Sequence, residues 1–146
     1  KIIKELLETV ETVKDHSGGL SAPQIGYNKR IALCRRMDLE EEEKLPQIVW
    51  EVMVNPVITK KSKAVTTFWE GCLSVSNGGL FAEVPRASEI TVKFFDKEGK
   101  EKVLEAKGYF SHVVQHEVDH LDGILFLKYV SDPSELYTAE ELERED

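Results

Sequence analysis

The chain has 146 residues, enough for one domain with a sizeable core, and 41% of them are apolar, so it is expected to fold rather than stay disordered. A formal net charge of −8 argues against a general nucleic-acid surface, which would want a basic stripe, and no apolar run approaches the length of a membrane span. Two cysteines without close pairing fit a reducing compartment better than a disulfide scaffold. No signal peptide is visible, although the chain opens at Lys1 rather than at Met.

Residues 1–16 read as an amphipathic helix. Ile2, Ile3, Leu6, Leu7, Val10 and Val13 recur at helical spacing, with Lys4, Glu5, Glu8 and Glu11 opposite, and Gly18-Gly19 stops it. The stretch Gly19 to Gly26 brackets Gln24 with small residues, a proline and glycines. It reads either as a plain helix-to-strand loop or as a loop pressed against a ligand, with Gln24 offering an amide donor. Arg30 to Cys34 looks like a buried strand in which Cys34 is a small core residue. Met37 to Lys44, with its run Glu40 to Glu43, is a solvated loop or short helix.

Val52, Val54 and Val57, interrupted by Asn55-Pro56, suggest short strands broken by a turn, and Lys60 to Lys63 a basic turn. Thr66 to Trp69 leads as a strand into Glu70-Gly71-Cys72, and 76–80 is a tight turn. Phe81 to Val84 returns as a strand ending at Pro85-Arg86. Glu89 to Asp96 and Glu101 to Ala106 form a hairpin about Lys97 to Lys100. A helix is expected over 109–121, closed by Asp122-Gly123. Ile124 to Leu127 is a short apolar segment. The acidic tail 131–146 is either a marginal surface helix capped by Asp132 or Ser134, or frayed. The order gives an α+β fold: a single domain, 1–146, in which small antiparallel sheet structure wraps around the 109–121 helix.

That helix carries Gln115-His116-Glu117-Val118-Asp119-His120. Histidines four residues apart share one helix face and can grip one metal ion, with Glu117 placed to reach a water beside it. His112 lies a further four residues back. From 112 to 120 a helix rises about 12 Å, while metal–nitrogen bonds are about 2 Å, so all three imidazoles cannot share one ion. The pair His116 and His120 brackets Glu117 and is assigned as ligands. A catalytic site needs a third protein ligand and an open position, and Cys72 in Glu70-Gly71-Cys72-Leu73-Ser74 is the best candidate.

Three stretches together resemble the peptide deformylases: Gly19 to Gln24, Glu70 to Ser74, and Gln115 to Leu121, in that order, with the likeness running from about Lys1 to Lys128. There are two departures. Ser17 stands where the family's loop usually opens with glycine, and the family's usual segment before the first helix is absent. The resemblance implies removal of the N-formyl group from the starting methionine of new polypeptides, releasing formate. It implies that Cys72, His116 and His120 hold a divalent ion, natively ferrous iron, which zinc, nickel or cobalt can replace. Glu117 would be the general base and acid toward a metal-bound hydroxide, and the Gln24 side chain with the Leu73 amide the oxyanion hole. The backbone at Gly18, Gly19 and Gly71 would pair with an extended substrate. Tyr109 and Val113 would line the methionine pocket, or else simply pack in the core. His112 projects toward that pocket, where the resemblance leads one to expect an apolar residue, and is read either as making the pocket more polar or as a surface histidine with no role.

Glu70, Arg86 and Asp119 are candidates to orient the ligands, or ordinary ion pairs. The partners implied are N-formylmethionyl nascent peptides, with the ribosomal exit tunnel nearby and neither membrane nor specific nucleic acid. The compartment is the bacterial cytoplasm, or an organelle in a eukaryote. Two competing readings are a zinc peptidase using the same helix and a catalytically silent binding module.

Overall fold

The computed structural model describes residues 1–15, 17–43 and 47–145. His16, Lys44 and Asp146, at the ends of three segments read above, lie outside the described residues. The elements run α1 (Ile2–Val13), β1 (Gly19–Ser21), a 3-10 turn (Ala22–Ile25), β2 (Ile31–Arg35), α2 (Met37–Glu43), β3 (Trp50–Lys61), β4 (Val65–Gly71), β5 (Leu80–Ala87), β6 (Glu89–Phe95), β7 (Glu101–Lys107), α3 (Gly108–Leu121), β8 (Tyr137–Thr138) and α4 (Ala139–Glu145). The architecture is α+β, with two antiparallel sheets about the α3 helix, as expected: β1-β2-β3-β6-β7 and β4-β5-β8. No helix among the described residues is long and apolar enough to cross a membrane.

Alternation builds the larger sheet. Ile90, Val92 and Phe94 on β6 point inward and pack with Met53, Ala106 and the α3 residues Phe110, Val114 and Val118. On the neighbouring part of the sheet, Leu6 and Val10 of α1 are fully buried against Leu20, Leu33 and Val52. Both clusters form as the apolar spacing predicts.

Three details differ from the sequence reading. Asn55-Pro56 does not break β3, because the register shifts between Val54 and Val57 and Asn55 takes a positive φ of 51°. A bulge absorbs the proline, which could not donate to the ladder. Likewise β5 runs on through Pro85 to Ala87, since β8 borders it only at Leu80 and Phe81 and leaves the proline without a neighbour on that side. The acidic tail supplies both the edge strand β8 and the short helix α4, whose first turn Thr138 caps by accepting from Glu141 N at 3.2 Å.

Helix α3 lies between the sheets and is buried nearly all round, polar residues included. Two of these bolt it to β5: Ser111 Oγ and Gln115 Nε2 donate to Ala87 O at 3.1 and 2.9 Å. At its far end Arg30 donates to Leu121 O at 3.2 Å and pairs with Asp122 at 2.7 Å, a cation at the negative end of the helix. Gly123, at φ 75°, then turns the chain away.

Candidate metal centre and active site

Helix α3 presents His116 and His120 one turn apart, ring centroids 4.5 Å from each other. Beyond the end of β4 the chain turns through Cys72 to Val75, with Val75 N donating to Cys72 O at 2.9 Å, and this brings Cys72 over the same helix face. Donor atoms of Cys72, His116 and His120 all lie within 4.8 Å of one another. Sγ is 3.1 Å from His120 Nε2 and accepts from Ser74 N at 3.4 Å.

Burial alone would push the Cys72 thiol up. The contacts from His116 and His120 reverse this and lower it to about 6. Burial would likewise lower both histidines, but Cys72 and Glu70 hold His116 near 9, and Cys72 and Glu117 hold His120 near 10. Cys72 is thus drawn toward the thiolate and both imidazoles toward their protonated forms. A divalent cation would displace those protons, so one soft and two borderline donors in this arrangement fit a metal ion.

Behind these three donors sits a buried polar brace. Glu70 Oε1 meets His116 Nδ1 at 2.5 Å, which fixes that ring with its other nitrogen toward Cys72. Glu70 Oε2 meets His112 Nε2. Arg86 grips the same carboxylate from the far side, at 2.6 and 3.1 Å, and reaches Asp119 Oδ2 at 2.7 Å. Burial favours the protonated acid, yet His112, His116 and Arg86 overcome it and hold Glu70 well below the usual carboxylate range. Tyr129 completes the brace: its hydroxyl donates to Asp119 at 2.8 Å, and its ring lies 4.9 Å from the Arg86 guanidinium. Glu70, Arg86 and Asp119 are thus one network, not separate surface pairs.

The residues that the sequence offers for metal, chemistry and substrate line one cavity of about 660 Å³: Cys72, His116, His120, Glu117, Gln24, Leu73, Gly18, Gly19, Gly71, Tyr109, His112 and Val113; Glu70 lines it too, while Arg86 and Asp119 stand behind it. Glu117 is 3% exposed. Its Oε2 lies 3.4 Å from His120 Nδ1 without hydrogen-bond geometry and has no partner among the described residues. Gly19 is forced by this closeness. A Cβ there would lie 2.6 Å from Leu33 O and 2.8 Å from Glu117 Oε1.

Gln24 Oε1 accepts from Ser21 N and Ser21 Oγ at 2.9 and 2.8 Å. Since an N–H must meet the oxygen, the side-chain orientation is settled, and Nε2 faces Ser74 Oγ at 3.2 Å.

The cleft also shows what the sequence reading missed. Ser17, Trp69, Gly78, Phe81 and Leu142 line it as well. Phe68 stacks edge-on against both Tyr109 and His112, with centroids 5.2 and 5.1 Å apart. Strand alternation carried the signal for Phe68, which shares a face with Glu70. Ser17, noted only as a departure, accepts from Gly19 N at 3.2 Å and donates to Gly19 O.

The model of the family described as polypeptide deformylase matches residues 1–135. The chain belongs to the peptide deformylase family. It is 42% identical over 125 residues to the peptide deformylase of Rhizobium meliloti, covering 85% of this chain and 68% of the relative. It is 43% identical over 140 residues to that of Thermus thermophilus, covering 91% and 70%. Among solved structures, a probable peptide deformylase from Synechococcus phage S-SSM7 superimposes with a TM-score of 0.76 at 40% identity, covering 88% of this chain and 80% of the other.

As a peptide deformylase the protein is a metal-dependent hydrolase that removes the N-formyl group from newly made polypeptides. The zinc-peptidase and silent-module readings are set aside by this membership.

Proposed function

We propose that Cys72, His116 and His120 hold a single divalent ion, and that Glu117, Gln24 and Leu73 perform the deformylation beside it. Such an ion, when bound, makes water acidic enough to attack at neutral pH and polarises a carbonyl. Ferrous iron is the proposed native metal, with zinc, nickel or cobalt as substitutes, because a thiolate with two imidazoles suits these ions.

This chain's own groups do the remaining work. Glu117 takes the proton of the attacking water and later gives it to the departing nitrogen. Gln24 Nε2 and the Leu73 N–H donate to the formyl oxygen as negative charge develops there, a contribution of about 3 kcal/mol per donor. The C–N bond breaks, leaving formate and a free amino terminus. The observation that carries this reading is the buried, unpartnered Oε2 of Glu117 in the cleft beside the three donors. An oxygen left so is costly unless a reacting group satisfies it.

The formyl group is small, so the attached peptide supplies most of the binding. Strands β1 and β4 are each the outer strand of their sheet, and Gly18, Gly19 and Gly71 bring these two edges to the cleft. The substrate backbone pairs between them as an added strand, taking the place of the Ser17 hydroxyl at Gly19. The methionine side chain enters beside Tyr109, His112 and Val113, against Phe68. His112, held on Glu70, gives this otherwise apolar pocket a polar wall. Formylated amino termini first appear where chains leave the ribosome, so the bacterial cytoplasm near the exit tunnel is the proposed place of work.

Formate release from formyl-Met and unformylated peptides tests the reading. Formate is expected from the first alone. Internal cleavage of either peptide, or no formate from metal-loaded protein, would overturn it.

A further inference from the structure

The family match stops at residue 135, yet the cleft does not. Leu142, on α4, lines the same cavity as the three metal-binding candidates, together with Trp69, Gly71 and Phe81. The segment that carries it is anchored in register: Tyr137 pairs with Phe81 and Thr138 with Leu80. Tyr137 also packs edge-on against Trp69, with centroids 5.6 Å apart. Thr138 and Glu141 exchange the hydrogen bonds that start α4, at 3.1 and 3.2 Å, and fix where Leu142 emerges.

Alternation along β4 sorts the cleft into two faces. Phe68 and Glu70 face α3, touching Tyr109, His112 and His116. Trp69 and Gly71 point to the opposite face, where Phe81 stands directly across from Gly71. On that face Glu83 lies across from Trp69, away from the apolar end at Phe81, and a Cβ on Gly71 would strike the Phe81 ring at 2.7 Å, so the edge is kept open for a backbone.

A peptide added to the β4 edge alternates in the same way. With its methionine side chain on the Phe68 and His112 face, its second side chain must turn toward Trp69, Phe81 and Leu142. We infer that Leu142 forms, with Trp69 and Phe81, a subsite for the second residue of the formylated peptide, and that it makes the enzyme favour a large apolar residue there. This rests on the strand-addition reading given above. An acidic side chain in the same place would lose water against Trp69, Phe81 and Leu142 and would meet the Glu83 carboxylate rather than a cation.

The test compares three peptides, formyl-Met-Leu-Ser, formyl-Met-Ala-Ser and formyl-Met-Glu-Ser, by formate release from the metal-loaded full chain. Wild type should rank them by kcat/KM as Leu over Ala over Glu. In Leu142→Ala the Leu-to-Ala ratio should fall about five-fold or more, through KM rather than kcat, as expected for lost apolar contact in a pocket. Leu142→Met keeps the volume and should hold the ratio within about two-fold of wild type, which separates the contact from a general disturbance of α4. A Leu-to-Ala ratio unchanged in Leu142→Ala, or an equal loss on all three peptides, would overturn the subsite. Formate from every peptide would leave the deformylase reading standing in that case, whereas formate from none would overturn that reading instead.

Discussion

The five-stranded and three-stranded sheets each bring one edge to the cleft, β1 and β4, but different forces hold those edges in place. Edge β1 rests on apolar packing: Leu20 joins Leu6, Val10, Leu33 and Val52 in one cluster, and the rest of that sheet grips α3 through Met53, Val92 and Phe94. Edge β4 has a smaller apolar core, built from Cys72, Val75, Ala82, Val84 and Phe126. What ties it to α3 is the buried Glu70 brace, which reaches His112, His116 and, through Arg86, Asp119. Packing positions the proposed base Glu117 against β1, while a polar network positions His116, a proposed ligand, against β4. The polar side gains orientation at the cost of burying charges, so the two sides should fail in different ways.

Breaking the brace should produce the largest effect. Arg86 and Glu70 have side chains only 4% and 5% exposed. Arg86→Leu leaves the carboxylate buried without its cation, which should cost about 3–5 kcal/mol in urea unfolding and weaken metal retention as well. A loss under about 1 kcal/mol would mean that the two histidines alone hold Glu70.

On the packed side, Met53→Ala should cost about 3 kcal/mol by the same measurement. Met53 is fully buried and away from the cleft. The folded fraction should still carry its metal and turn over normally, so lost stability without lost metal is the contrast with Arg86→Leu.

The smallest effect sharpens the comparison by showing what an ion pair is worth at the surface. Arg36 pairs with Asp38 at 2.9 Å beside α2, where the aspartate side chain is 30% exposed. Burial is the largest single influence and pushes Asp38 up, but the hydrogen bond and charge of Arg36, with the Leu39 N–H, together outweigh it and hold the acid below its usual 3.8. A depressed native pKa stabilises the fold above the ordinary carboxylate range, and that stability is lost as the pH falls through the native value. Asp38→Asn should therefore cost about 0.5 kcal/mol at pH 7, after allowing for solvent screening, with the difference shrinking below about pH 4. A constant difference from pH 7 to pH 3 would contradict this.

The same division explains what could be read from the sequence. Apolar periodicity foretold α1 and the β6–β7 hairpin, and the spacing of His116, Glu117 and His120 on the expected 109–121 helix survives intact because a helix preserves local order. With Cys72 the metal-binding candidates were all legible, as was Gln24. Long-range pairing was not. Nothing near Tyr137 and Thr138 announces a strand, since two residues make sense only opposite Leu80 and Phe81. The tail therefore read as either a marginal surface helix or a frayed end, and Leu142 went unassigned. Asn55-Pro56 and Pro85 looked like breaks because a bulge and an unbordered stretch of strand are tertiary facts. Arg86 and Asp119 looked like either a brace or surface pairs until burial decided between them.

The central claim is that Cys72, His116 and His120 bind the ion while Glu117 moves the proton without binding it. Metal content and formate release of Glu117→Ala, purified without air, test it together. The account predicts one metal ion per chain, as in wild type, with turnover of formyl-Met peptides reduced at least about 100-fold at pH 7. Near-normal turnover, or loss of the metal along with activity, would contradict it.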